Sequence, residues 1–279
     1  QAIFRWAGAD VDTFIALKEE VDHVDTLSQS YRIPGRPIHE LSQDISKKVT
    51  NRYDKYYLPR QEVGDLTRYS DVTQVNMSQG EWLVLTTANY MFEDIGDILD
   101  EKELYWQRRN ATPRVKNVYE IIQKWNQLRT GIPLPYGDCK KIFNKMNKNW
   151  DKKLFNAMAK DKYYDIDTLK IKYGLKTETE WQEALDELGD LDVKKILKLT
   201  KAGEDLSKDP RISVSTIHGV KGNERENVVI FPELSGKAYE QYMDDPDDTH
   251  RLFYVAVTRA KESLHIIEPA NYERSYSYV

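Results

Sequence analysis

Residues 211–231 read RISVSTIHGVKGNERENVVIF, and two runs inside that stretch decide the fold class. Residues 212–216 (ISVST) and 227–231 (NVVIF) are β-branched runs suited to buried parallel strands. Downstream, residues 248–261 have the spacing of a helix, and 263–267 (SLHII) close as a strand. Upstream, residues 81–86 (EWLVLT) predict a strand, joined through Ser78-Gln79-Gly80 to a second strand over 71–77. A helix over 90–100 and a short strand near 103–106 follow. Strands alternating with helices imply a parallel sheet covered on both faces, and so an α/β fold.

The N-terminal part is less regular. Residues 11–20 show loose helical spacing, with Val11, Phe14, Ile15 and Leu17 on one side. Residues 24–30 (VDTLSQS) predict a short strand. Pro34 suits the first turn of a helix whose buried side runs Pro37, Ile38, Leu41, Ile45, Val49. Residues 51–71 show no clear pattern. From 114 to 200 the spacing is helical: Val115, Val118, Tyr119, Ile122, Trp125, then Trp181, Leu185, Leu188, then Leu191, Val193, Ile196, Leu197. Only the turn residues of 131–137 (GIPLPYG) break it. The expected organisation is therefore one α/β domain made of 1–109 and 201–279, interrupted by an inserted all-helical subdomain over 110–200.

The 279 residues are 40% hydrophobic and 31% charged, with 13 Gly and 10 Pro. That is enough apolar material for a core, and it excludes a disordered chain or a fibre. Mean hydropathy is −0.70, and no apolar run reaches the ~20 residues of a membrane span. The single cysteine, Cys139, excludes an internal disulfide and a cysteine-based zinc cluster, so a reducing, cytoplasmic setting is expected. The opening Gln1-Ala2-Ile3 lacks an initiator Met and a signal core, which reads as a piece of a longer protein. Residues 114–176 carry 15 Lys+Arg against 6 Asp+Glu in a chain whose net charge is −5. A basic segment in an acidic protein points to a polyanion-facing surface.

No self-sufficient catalytic centre is visible. The one Gly-Lys pair, Gly236-Lys237, is followed by Ala238 and has Phe231 where a phosphate-binding loop needs glycine. The five histidines show no metal-binding spacing, and Gly-x-Ser-x-Gly is absent. Three clusters nonetheless suit a polyanion. Tyr31-Arg32 places an aromatic plane beside a guanidinium. Residues 215–222 (STIHGVKG) present hydroxyls, an imidazole and two glycines where a predicted strand ends. In residues 251–260 (RLFYVAVTRA), Arg251, Val255 and Arg259 share one side of a predicted helix.

Taken together and in order, these clusters resemble the C-terminal motor half of superfamily 1 DNA helicases of the UvrD/Rep/PcrA type. QAIFRWAGAD (1–10), LSQSYR (27–32), STIHGVKGNERENVVIF (215–231) and RLFYVAVTRAKESLHII (251–267) are similar to that family's motifs III, IV, V and VI. The resemblance covers about 1–106 and 205–268. It implies a RecA-like fold and a helicase that uses ATP with Mg²⁺. Gln1 would sense the γ-phosphate, and Arg32 and Arg259 would act as arginine fingers. Tyr31 would stack on adenine, and Glu224 would bond the ribose. Phe4 and Trp6 would stack on single-stranded bases, while Thr216 and His218 would touch the DNA backbone. Two departures stand out. Trp6-Ala7-Gly8-Ala9 replaces the family's Trp-Arg-Gly-Ala, so one Arg contact is missing. Arg225 replaces a Phe after Glu224, which alters the packing expected of that loop.

The expected partners are single-stranded DNA, duplex junctions and a preceding motor domain holding the P-loop and the Mg²⁺-binding acid. Neither a membrane nor an oligomer is expected. The rival reading is a non-catalytic nucleic-acid-binding or scaffolding module derived from a helicase domain. A helicase–nuclease fusion would need an acidic constellation beyond Val279.

Overall fold

The structure is a computed structural model that describes residues 3, 8, 10–54, 56–220 and 222–278. Gln1, Phe4 and Trp6 lie outside these. In chain order the elements are α1 (Val11–Ala16), α2 (Ile38–Lys48), β1 (Asp65–Tyr69), β2 (Trp82–Thr86), α3 (Met91–Glu101) and β3 (Trp106–Arg108). They continue with α4 (Arg114–Arg129), β4 (Leu134–Pro135), α5 (Tyr136–Phe143), α6 (Lys152–Phe155), β5 (Tyr163–Tyr164), α7 (Ile166–Lys172), α8 (Trp181–Ala184) and α9 (Asp190–Lys201). The last are β6 (Ile212–Thr216), β7 (Arg225–Ile230), α10 (Gly236–Asp244), α11 (Pro246–Val257) and β8 (Ala260–Ile267). Two compact units result, one of residues 1–110 with 211–279 and one of residues 111–210.

In the first unit the described residues form a six-stranded sheet in the order β1-β8-β7-β2-β6-β3, parallel at every pair. The fold is α/β with a RecA-like layering. Period-two alternation sends Leu83, Leu85, Val228, Ile230 and Leu264 to one face, under α2 and α11. Val84, Val214, Val229 and Ile267 go to the other, under Phe92, Ile95 and Leu99 of α3. β2 is buried at all five positions, as a central strand covered on both faces should be. Phe253 of α11 is fully buried and stacks on Tyr276 at 4.1 Å. Phe253→Ala is expected to cost about 3–5 kcal/mol, read as a lower urea midpoint at unchanged slope.

Two predicted strands do not form. Residues 24–30 are almost all exposed, Leu27 at 76%, and only Gln29 makes an isolated bridge, to Leu58. One sheet edge belongs instead to β1, in the stretch that showed no pattern. Residues 71–77 hold a 3₁₀ turn, Val72–Gln74, in place of a strand, and the Asp71 carboxylate caps it by accepting the Thr73 N–H at 2.7 Å. That local bond competes with a strand ladder. α2 begins at Ile38 rather than at Pro34, since the residue before a proline, here Arg36, is steered away from helical angles. The inserted unit is not all-helical either: β4 and β5 pair antiparallel, Leu134 opposite Tyr164. Pro133 and Pro135 favour extended backbone there.

Within the inserted unit, α4 buries Val115, Val118, Ile122, Trp125 and Leu128 along one stripe. Phe143 and Phe155 stack at 3.9 Å with Trp150 edge-on to both. Lys140, Lys148, Lys152 and Lys153 are exposed around this aromatic group. Leu191, expected on a buried stripe, is exposed.

Candidate functional site

The predicted site residues that the structure describes fall at two opposite edges of the sheet. The first group gathers at the N-terminal ends of β1, β8 and β7. α11 ends at Val257, and Thr258 closes it by bonding its hydroxyl to the Val255 carbonyl at 3.1 Å. Arg259 therefore sits beyond the helix, in the turn into β8, and not on a helical stripe with Arg251 and Val255. Its guanidinium donates from Nε to the Val255 carbonyl at 3.0 Å and from Nη2 to Thr258 Oγ1 at 3.2 Å. Only 5% of the residue is exposed.

Three groups act on Arg259 electrostatically. Burial, then the charge of Arg32, pushes its pKa down to about 10, against the opposing pull of Glu224 and Tyr254. The carbonyl of Arg259 accepts the Arg225 N–H at 3.2 Å, which sets Glu224 one residue from that bond. The Arg225 side chain turns to Glu81, 3.4 Å away, so the Phe-to-Arg departure leaves the Glu224 backbone anchored. Ser30 accepts the N–H groups of Arg32 and Ile33 at 3.4 and 3.0 Å, shaping the turn that presents Arg32. Arg32 Nε is buried and has no hydrogen-bond partner among the described residues. Tyr31, next to it in the chain, is 87% exposed. Two guanidiniums with one carboxylate near them, in a desolvated setting, suit an anion with several oxygens.

The second group lies at the C-terminal edge of β6. Thr216 Oγ1 accepts the Gly219 N–H at 3.2 Å, which leaves the hydroxyl hydrogen for another acceptor. His218 opens a 3₁₀ turn whose flanking Ile217 and Val220 are fully buried. Burial holds the His218 imidazole below the usual histidine range, so it is neutral at pH 7. A Cβ on Gly219 would come within 2.8 Å of the Ser215 hydroxyl, so only glycine lets the loop lie this close to β6. A cleft of about 650 Å³ opens here, lined by His218, Thr87, Ser235, Lys237 and Asp248 among others.

Arg251 belongs to neither group. Its guanidinium is buried and bonds Asp248 at 2.8 Å, the Asn51 carbonyl at 2.7 Å and Asp247 at 3.2 Å. It ties α11 to the segment after α2. Asp247 also accepts the N–H groups of Thr50 and Asn51 at 2.7 and 2.9 Å. Sequence reasoning missed Tyr254, whose hydroxyl lies 3.0 Å from that of Tyr57. It also missed Arg109 and Asn223, which meet across more than a hundred residues. Tyr254 lay inside the 251–260 run and its phenol was the available signal, whereas nothing in the sequence links Arg109 to Asn223.

No group of three or more His, Cys, Asp or Glu able to hold a metal occurs among the described residues, and no helix among them is long and apolar enough to cross a membrane. No curated protein matches the chain. The family model described as UvrD-like helicase C-terminal domain matches residues 9–270.

Proposed function

The chain belongs to the UvrD-like helicase C-terminal domain family, and from that premise we propose that it is the second motor domain, with its insertion, of an ATP-dependent DNA helicase translocating 3′ to 5′. One observation carries the nucleotide half of this reading: Arg259 is buried beside a second arginine, Arg32, and Glu224 is the one carboxylate among the described groups that offsets its charge. Such an arrangement disfavours the protein by itself and favours it around a polyphosphate. Arg32 and Arg259 meet charge spreading over the transferring phosphoryl group, Glu224 takes the ribose, and the exposed ring of Tyr31 takes the adenine. Gln1 would orient the attacking water. Thr216, as a hydroxyl donor, and neutral His218 bond the DNA backbone from the other edge of the sheet. Phe4 and Trp6 add base stacking. Mg²⁺ would neutralise charge on the phosphates, and in a helicase of this family its acid and the P-loop lysine would come from a first motor domain.

Two measurements test this. In the natural full-length protein, DNA-stimulated ATP hydrolysis and unwinding of 3′-tailed but not 5′-tailed duplex are expected. The 279-residue chain alone is expected to hydrolyse ATP far below ~1 s⁻¹, the low end of ordinary turnover, because its sequence has no P-loop to position the phosphates. Full-length protein that binds DNA yet never hydrolyses ATP would favour the scaffolding module. Turnover near that rate by the isolated chain would refute the division of labour.

A further inference from the structure

We propose that Arg109 is a positioning residue that clamps the β6–β7 loop at Gly219 and Asn223, holding its DNA-contacting and nucleotide-contacting ends in register. The inference rests on the roles assigned above to Thr216, His218 and Glu224. The loop leaves the C-terminal end of β6, crosses to the N-terminal end of β7, and carries one proposed contact at each end. A segment joining two ligands across a sheet must be stiff if both contacts are to be preorganised.

Arg109 is built to stiffen it. Its own N–H donates to the Val214 carbonyl at 2.9 Å, one residue past the end of β3, so its backbone is fixed by β6. From there the guanidinium donates to the Gly219 carbonyl, in the middle of the 3₁₀ turn. With the Asn223 amide oxygen turned toward it, the same guanidinium also donates to Asn223 at 2.7 and 3.1 Å. One fork thus spans the turn that follows His218 and the residue that precedes Glu224. Asn223 is further tied by its N–H to the Val220 carbonyl at 2.9 Å, and the Arg225 N–H to Arg259 closes the far side. Glu224 is bracketed on both flanks.

The chemistry of the surroundings argues for the fork rather than for charge pairing. The small cleft beside it, about 150 Å³, is lined by Gln107, Ser213, Asn223 and Arg225, and no carboxylate lines it among the described residues. Both acceptors of Arg109 are neutral oxygens at separate points of one loop, a geometry that a planar guanidinium can bridge and a single ammonium cannot.

The test uses the full-length protein with Arg109→Ala, Arg109→Lys, Asn223→Ala and the double Arg109→Ala/Asn223→Ala variant. Thermal midpoint, kcat, KM for ATP and the DNA concentration for half-maximal stimulation are measured for each. For Arg109→Ala, KM and half-stimulation are expected to rise about tenfold each, the scale of losing charge-assisted hydrogen bonds, while kcat at saturation falls less than about threefold. Asn223→Ala should move both constants in the same direction by less. The double variant should be no worse than Arg109→Ala, because one clamp is being removed twice. Arg109→Lys should fall between, keeping a charged donor group that reaches only one of the two acceptors. Constants unchanged for Arg109→Ala, or a lowered midpoint with unchanged constants, overturn the proposal. Should Arg109→Ala not fold, Asn223→Ala, which deletes only an acceptor, decides. A wild type with no DNA-stimulated hydrolysis removes the helicase reading and the clamp's role with it, whereas an active wild type with indifferent variants removes the clamp alone.

Discussion

Replacing Arg259 by methionine in the full-length protein is expected to lower kcat for ATP hydrolysis by roughly 10³–10⁵ and at the same time to raise the thermal midpoint. Both effects have one cause. Arg259 is buried, and burial first, then the charge of Arg32, lowers its pKa from the ordinary arginine range to about 10. For a base, a lowered folded-state pKa means that folding disfavours the charged form. The penalty is present at every pH below about 10 and is relieved only as pH rises through that value. A shift of this size corresponds to about 3 kcal/mol held in the folded state. Methionine fills much of the same space without the charge, and it gives up the donors to the Val255 carbonyl and the Thr258 hydroxyl, the smaller loss. The guanidinium is retained at this cost because it meets charge that develops only in the transition state, so its removal falls on kcat and barely on KM. Arg259→Lys should be nearly as inactive, since one ammonium cannot hold the helix end and reach the phosphoryl group together. A lysine variant that keeps most of its turnover would place Arg259 in a structural role. So would a methionine variant that loses stability along with activity.

The strands most legible in the sequence are the central ones that the sheet buries, whereas the edge strand β3 was read only near 103–106 and forms at Trp106–Arg108. β2, β6 and β7 have apolar cores, β-branched in β6 and β7, because apolar neighbours lie above and below them, and composition alone carries that signal. β1 was not legible. It lies at the edge, pairs only with β8, and reads Asp-Leu-Thr-Arg-Tyr with no residue fully buried. The reverse error, at 24–30 and 71–77, came from β-branched residues that have no partner strand or answer to a nearby Asx turn. Site residues behave in the same way. Arg32, Glu224 and Arg259 could be proposed from motif resemblance, but their meeting at one sheet edge depends on the strand order β1-β8-β7, which no local pattern encodes. The distinction between Arg251, locked to Asp247 and Asp248, and Arg259, held beside Arg32, was equally invisible: both are arginines in one ten-residue run.

The inserted unit gives the second large expected effect. Replacing Lys140, Lys148, Lys152 and Lys153 by alanine should weaken binding to a duplex–single-strand junction by roughly 10²–10³ at 0.1 M salt and flatten its salt dependence. These four are chosen because they are exposed and enter no ion pair among the described residues, whereas Lys141 lies 3.4 Å from Asp138 and Lys145 is half-buried. The interleaved aromatics are occupied with one another: Phe143, Trp150 and Phe155 form a packed group, so Lys148, Lys152 and Lys153 between them, and Lys140 just before, are left outside. A surface of this kind has no means of reading bases, and binding should be indifferent to sequence. Each lysine that meets a phosphate displaces condensed counterions, so each one lost should reduce the slope of log affinity against log salt by about 0.9. Lysines that only solubilise the unit would leave that slope untouched, however exposed they are. The salt series therefore separates the two roles where a single affinity would not. Unchanged affinity and slope in the quadruple variant, with helicity preserved by circular dichroism, would remove nucleic acid from this surface and leave an acidic protein partner as its better occupant.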